Sequence, residues 1–546
     1  MENKLKKHGQ TLKMNCRTTK NKGDRAMDSL LTRFGNAVKG VISGFDRIVF
    51  KGMLRPIMFA AGMQGYLLSR GVLNKDFKAY AMLKSQTIVA NAEEISKKET
   101  GQPIIYLPSS NERKETVARN RQKETGTKDG LIGVWSCVES CWTFRSTFNA
   151  EANYPILRHE QTRCKHLYFY FDDPVYGFMS IRLQTWAPYE IQVAINGREW
   201  LRRSLDSAGC GYILSGNKFL HIDDYEIAQK LLDTQLTADF EDILKSFLPT
   251  VFPSMAEIVP DMSYYWTVWQ SELAKDYIFG DTKTVQSLMN DFLHHALATG
   301  CGERVLHYFG SPIRANGQPH PNSNPEILSR VKVWFDGLRF RHWNGKNSLK
   351  SYNEHNVLRF EMTMNDPSQY KIYRHAENQD TSEPKKLMPI RKGIADITVR
   401  ANVSAQAVSR FTEHMASVKE TTSLEKLLES VSTHITVDGK KHRALDAFGK
   451  DLSFLRAIAD PIFDVANITN KELQKKLAAS PWAKGMTGKQ LSGRISRHFL
   501  LLRKHGLIRK LPNQTKYALT DKGRKITSAV SIALTASIDA LLGLAA

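Results

Sequence analysis

The chain lacks the short signatures by which many enzymes show themselves. It has no C-x-x-C pair, no H-E-x-x-H, no G-x-S-x-G and no Gly-rich loop closed by G-K-[ST], so zinc-protease, serine-hydrolase and P-loop readings fall away. Its cysteines, Cys16, Cys137, Cys141, Cys164, Cys210 and Cys301, are scattered, which supports neither a zinc ribbon nor a disulfide framework. Cys137 and Cys141 could meet on a helix, but they have no local histidine, and reduced, buried thiols are the expectation. No apolar run approaches the ~18 residues of a membrane span. The N-terminal MENKLKKHGQTLKMNCRTTKNKGDR lacks the apolar core of a signal peptide. A cytoplasmic protein with no membrane association is therefore expected, and no internal repeat at a fixed period is visible.

Acidic residues are the scarce charge. Against 77 Lys and Arg there are 55 Asp and Glu, a net charge of +22. With 42% hydrophobic and 24% charged residues, the composition is that of a globular chain, so the excess is not the product of one tail. A polyanionic partner, DNA and/or structured RNA, is the economical explanation. A length of 546 residues leaves room for roughly three or four domains.

The most informative segment lies near the C-terminus. A helix is predicted from Lys489 to His505, with Leu491, Ile495, His498 and Leu502 on one apolar stripe. Gly506 ends it, and Leu507 to Lys510 can pair with Lys516 to Leu519 as a hairpin. That order of elements is a winged helix. Between Lys484 and Lys525 the only acid is Asp521, while Lys489, Arg494, Arg497, Arg503, Lys504, Arg509, Lys510 and Lys516 are placed to meet a phosphate backbone. The alternative is a protein-docking or dimerisation module, which would make a homodimer the partner. The pattern R-x-x-R…L-x-K-H-G-L-I-x-K…Y-x-L-T resembles the winged helices of bacterial regulators of the multiple-antibiotic-resistance class, a resemblance confined to this end of the chain.

Upstream, the patterning suggests an α+β multidomain chain. Residues 1–28 read as a basic flexible arm. Residues 29–150 form a mixed α/β domain, with a strand at Val41 to Phe50 and a β-α-β unit from Pro103 to Trp135 that implies a partly parallel sheet. An antiparallel meander plus helix occupies 151–225, a helical region 226–320, a second meander 321–375, a helical connector 376–465, and the winged helix 466–546.

Candidate chemistry rests on acids in unusual places. In NSLKSYNEHNVLRFEMTMND, alternation puts Arg359, Glu361 and Thr363 on one strand face, with Lys350 and Tyr352 on the neighbouring strand. A solvated charged face is the simple alternative. Glu272 and Asp276, four apart in a segment read as a helix, would share a face. Brought beside Glu361, they could hold Mg²⁺. Asp46, in the middle of an early apolar strand, occupies the usual place of a first metal ligand in nucleases of the ribonuclease H type. Arg182, Gln184 and Trp186 on one strand face suit a nucleic-acid surface, where guanidinium and amide bond bases and indole stacks on them.

The K-x-Y…L-R-x-E arrangement resembles one in rolling-circle replication initiators, which implies a metal-binding acid and Tyr352 as nucleophile, although no His-hydrophobe-His pair completes a metal site. Over nearly its full length, through GFDRIVFKG, RLQTW, INGREWL, NSLK-x-Y, LRFE and RKGIAD, the chain is similar to a broad bacterial group that carries no established activity. Its sporadic occurrence implies mobile or accessory DNA. The resulting expectation is a nucleic-acid-binding protein of such an element, with a metal-dependent nuclease, strand-transfer enzyme or replication initiator as the alternative. No metal ligand is firm, and Mg²⁺ is the cofactor of the alternative.

Overall fold

A computed structural model describes residues 28–108, 113–151, 153–299, 302–311, 327–334, 337–375, 385–418, 423–437, 439–460, 462–463, 467–511 and 514–536. The basic arm expected at 1–28 lies outside them except for Asp28. The architecture is mixed α/β, built on one large mixed sheet. Its strands, with one separate hairpin, are β1 (Val38–Met53), β2 (Ile105–Tyr106), β3 (Gly130–Asn149), β4 (Tyr154–Asp173), β5 (Gly177–Gln184), β6 (Ile191–Asn196), the hairpin β7 (Tyr212–Ser215) and β8 (Lys218–Ile222), β9 (Tyr265–Phe279), β10 (Ile327–Trp334), β11 (Gly337–Asn344), β12 (Asn347–Glu354) and β13 (Val357–Met364). The sheet order is β10-β11-β12-β13-β9-β1-β6-β5-β4-β3-β2. Every neighbouring pair is antiparallel except β2 and β3, which are parallel as the β-α-β unit implied.

Three expectations change here. Segments 29–150, 151–225, 226–320 and 321–375, read as separate units, all send strands into this one sheet. The segment holding Glu272 and Asp276 is strand β9, not a helix; its Tyr, Trp, Val, Ile and Phe favour a pleated surface. Cys137 and Cys141 lie on the strand β3 rather than on a helix.

One sheet face is apolar and covered by helices. Phe45, Ile48, Phe50, Leu183, Val193 and Val268 belong to a core shared with the helices Ala60–Ser69 and Phe77–Thr100. Leu349, Leu358, Phe360 and Met362 belong to a second core with Thr282–Thr299 and Ile397–Ala416. The opposite face is polar across the middle strands. There the helices Gly197–Ala208 and Tyr225–Gln235 and the β7–β8 hairpin cover one end. Gly40 permits that cover, because a Cβ on it would stand 2.3 Å from the Tyr225 ring.

The C-terminal part has its own core, formed by the helices Leu452–Ile458, Asn470–Leu477 and Gly488–Lys504, a hairpin of Ile508–Lys510 with Tyr517–Leu519, and Asp521–Thr535. Ile468 bridges Tyr517 and so lengthens the small sheet. Leu491, Ile495, His498 and Leu502 are buried on one stripe, the spacing read from the sequence. Among the described residues no helix is long and apolar enough to cross a membrane.

The second core turns on Phe411, wholly buried against Tyr308, Phe340, His342 and Phe360. Phe411→Ala should cost about 3–5 kcal/mol by transfer plus cavity terms. Chemical denaturation measures it, and a loss below about 1 kcal/mol would mean this aromatic cluster does not hold the helix on the sheet.

Candidate metal site on the polar sheet face

Two β-bulges shape the polar face. In β1 the pairing with β9 slips between Phe45 and Arg47, which oppose Leu273 and Glu272. The extra residue is Asp46, so Asp46 and Arg47 both turn toward the polar side, which strict alternation forbids. In β9 Val49 opposes Gln270 and Phe50 opposes Val268, leaving Trp269 as the extra residue. Trp269 is 49% exposed, and the Lys51 ammonium lies 4.8 Å from its ring centre.

Between these bulges three carboxylates meet. Asp46, Glu272 and Glu361 each offer an oxygen within 4.8 Å of the others, with Asp46 and Glu361 buried and Glu272 half-buried. They come from β1, β9 and β13, three adjacent strands. Lys350 of β12 stands opposite Glu361 in register and its ammonium lies 2.6 Å from Oε1; Glu361 Oε2 has no hydrogen-bond partner. Gln270 Nε2 donates to Glu272 Oε1 at 2.6 Å.

Asp276 is not part of this set. Its carboxylate takes Arg359 Nε and, at 2.8 Å, Nη2 as a fork, and Arg198 Nη2 lies 3.0 Å away. Arg359 then reaches Asp46 Oδ1 through Nη1 at 2.9 Å, and Asn217 Nδ2 donates to the same carboxylate at 3.1 Å. The Asn217 carbonyl accepts from Arg359 Nη2 at 3.2 Å, so the β7–β8 hairpin closes over the guanidinium. Arg198 is delivered by the helix that starts at Gly197, where a Cβ would stand 2.0 Å from the Phe45 carbonyl. These groups hold the Asp46 carboxylate in place.

Protonation separates the acids. Burial raises the Glu272 carboxyl, and the neighbouring Glu361 adds to the rise, carrying it to about 7. Burial also acts to raise Asp46, but Arg359 and Arg198 outweigh it and hold that carboxyl below its ordinary value. Burial pushes the Tyr352 phenol well above its ordinary value. The Tyr352 hydroxyl lies 3.5 Å from Arg359 Nη1, a position that suits support of the guanidinium better than attack on a phosphorus.

Several residues expected to touch nucleic acid do other work. Arg359 is wholly buried in the carboxylate network, so the solvated-face alternative fails for it, and Lys350 is engaged by Glu361. Gln184 is buried and donates to the Trp142 and Trp186 carbonyls. Trp186 follows β5 instead of lying on it, and packs edge-on to Phe77 at the apolar core. Arg182 pairs with Glu139 at 3.1 Å. Arg494 is half-buried and lies over the Trp482 ring at 4.5 Å. By contrast Lys489, Arg497, Arg503, Arg509, Lys510 and Lys516 are exposed, and Lys504 is half-buried. A concavity of about 440 Å³ between the helix Gly488–Lys504 and the hairpin Ile435–Val437/Lys440–His442 is lined by Lys441, Arg443, Arg494 and Arg497. The place of Lys51 over the exposed Trp269 ring was not anticipated.

Comparison with protein-family models, with curated proteins and with solved structures found no match.

A carboxyl at about 7 must lose its proton to bind a cation. Mn²⁺ affinity should rise with pH up to about 7, near tenfold per unit where one proton is released. It should flatten in Glu272→Gln. The same group sets a stability window. Its folded value lies above the unfolded value of 4.5, so the native state holds a proton that the unfolded chain has released. Stability falls as pH rises from about 4.5 to about 7, and Glu272→Gln should remove that slope. Calorimetric titration and denaturation at stepped pH measure both; a pH-independent affinity below 7 would contradict a raised Glu272 carboxyl.

Proposed function

We propose that this chain is a nucleic-acid-processing protein that docks on duplex DNA or structured RNA and carries out divalent-metal-dependent phosphodiester cleavage or strand transfer at Asp46, Glu272 and Glu361. The observation that carries the reading is the meeting of those three carboxylates from three strands on a polar sheet face rimmed by Arg47, Lys51 and Trp269. Mg²⁺ fits the donor set, since hard carboxylate oxygens suit a hard cation that keeps water and takes phosphate oxygens. Bound there, the ion would supply Lewis-acid stabilisation of the developing phosphate charge and activation of a water or hydroxyl. Asp46 and Glu361 would hold it, and Glu272 would surrender its proton to join them. Arg47 would draw in the phosphate backbone, while Lys51 is paired with Glu190, and Trp269 offers a face on which an unpaired base can stack.

The C-terminal part supplies the docking element in this reading. Its helices, bridge and hairpin would then be read as a winged helix, with Gly488–Lys504 as the recognition helix, a reading that the Ile508–Lys510/Tyr517–Leu519 hairpin after that helix supports. On that helix Lys489, Arg497 and Lys504 fall on the arc opposite the buried stripe, the face such a helix turns to the major groove, with Arg503 exposed beside it.

Two variants separate the parts. Glu361→Gln should retain binding to a labelled duplex and lose Mg²⁺- or Mn²⁺-dependent cleavage or joining of single- and double-stranded DNA and RNA. The triple variant K489E/R497E/R503E should keep the fold, lose duplex affinity, and flatten the salt dependence by about 0.9 in log K per log salt for each phosphate contact removed. Binding without any metal-dependent product in the wild type would overturn the enzymatic reading. Unchanged binding by the triple variant would remove this helix as the docking element.

A further inference from the structure

The far half of the polar face carries a second cluster, of soft donors. Cys141 on β3 and Cys164 and His166 on β4 each offer a ligand atom within 4.8 Å of the others, and all three are buried. The β3–β4 register explains how they meet: Glu139 opposes Cys164 and Cys137 opposes His166, so Cys141 sits one step beyond Cys164 on the same face. Cys141 and Cys164 are 7% and 5% exposed, close enough to the surface for an ion to enter.

His166 is the independent indication. Its ring is fully buried. Nδ1 lies 3.1 Å from the Cys164 carbonyl oxygen, an acceptor only, so Nδ1 carries the proton and donates it. Nε2 is then a lone pair, and it has no hydrogen-bond partner. A backbone carbonyl fixing one ring nitrogen as donor, with the other left as an unpartnered lone pair, is the arrangement found behind metal-bound histidines. An orphaned buried acceptor is costly unless something fills the role of partner.

We propose that Cys141, Cys164 and His166 form a Zn²⁺ site across β3 and β4, with water as the fourth ligand. Two sulfurs and an imidazole nitrogen are the donors zinc prefers, and two sulfurs each about 2.3 Å from a tetrahedral ion stand roughly 3.8 Å apart, which the cluster can meet. Two thiolates neutralise the ion's charge, so the nearby Arg182–Glu139 pair is undisturbed. Cys137 opposes His166, but its Sγ donates to Glu139 Oε1 at 3.0 Å and is not counted among the donors. The site is chemically distinct from the carboxylate triad, which offers only oxygen.

The test uses the full, reduced chain stripped of metal and titrated with Co²⁺. A near-ultraviolet sulfur-to-cobalt charge-transfer band should grow to one ion per chain and vanish when Zn²⁺ is added. The carboxylate triad can produce no such band, so this result is separable from the fate of the proposed nuclease site. Cys164→Ser should reduce the band by about half per ion bound. Absence of the band in folded wild-type protein would overturn the proposal, an outcome that does not depend on a variant folding.

Discussion

The arrangement of the polar face depends on one buried cation. Arg359 has no exposed surface, and its guanidinium spans Asp276 on β9 and Asp46 on β1. A guanidinium taken out of water costs several kcal/mol unless its hydrogen bonds are replaced. Here two carboxylates and the Asn217 carbonyl replace them. The planar fork matches Asp276 bidentately, a task lysine cannot perform. Because the same group touches strands on both sides of β9, it fixes the bulged Asp46 against the Glu272 and Glu361 strands. Asp276 thus reaches Asp46 through Arg359.

The two sheet faces divide the labour. Helices cover the apolar side and bury Phe45, Phe50, Phe360 and Met362, so the strands cannot slip without moving every side chain to the wrong face. That rigidity lets residues 46, 272 and 361 converge although they are far apart in the chain. Bulges then break alternation at two points, and both breaks add functional groups to the polar side: Asp46 with Arg47, and Trp269 with Gln270. Holding three acids together is unfavourable in itself, and the proton on Glu272 and the ammonium of Lys350 relieve it. A divalent cation would relieve it more completely.

Much of this was legible in the residues. Period-two alternation marked the meanders, and the stripe Leu491, Ile495, His498 and Leu502 marked the C-terminal helix. Asp46 and Glu361 stood out as charges in apolar strands. The strand β9 was misread because its bulge at Trp269 breaks the alternation; Glu272 and Asp276 share a strand face, not a helix face. Arg359 looked like a surface cation because its two carboxylate partners are remote in sequence. The Cys141, Cys164 and His166 cluster was invisible for the same reason: antiparallel register, not local spacing, assembles it. Strand order in a sheet is set by packing of whole faces, and no window of residues carries it.

The central claim is that Asp46, Glu272 and Glu361 bind one divalent cation. Mn²⁺ soaked into crystals of the full chain above pH 7, with diffraction recorded for its anomalous signal, tests it most directly. The account predicts a peak contacted by oxygens of all three carboxylates, with Arg359 still joining Asp46 to Asp276. Saturating Mn²⁺ with no peak there, and Lys350 still seated on Glu361, would contradict it.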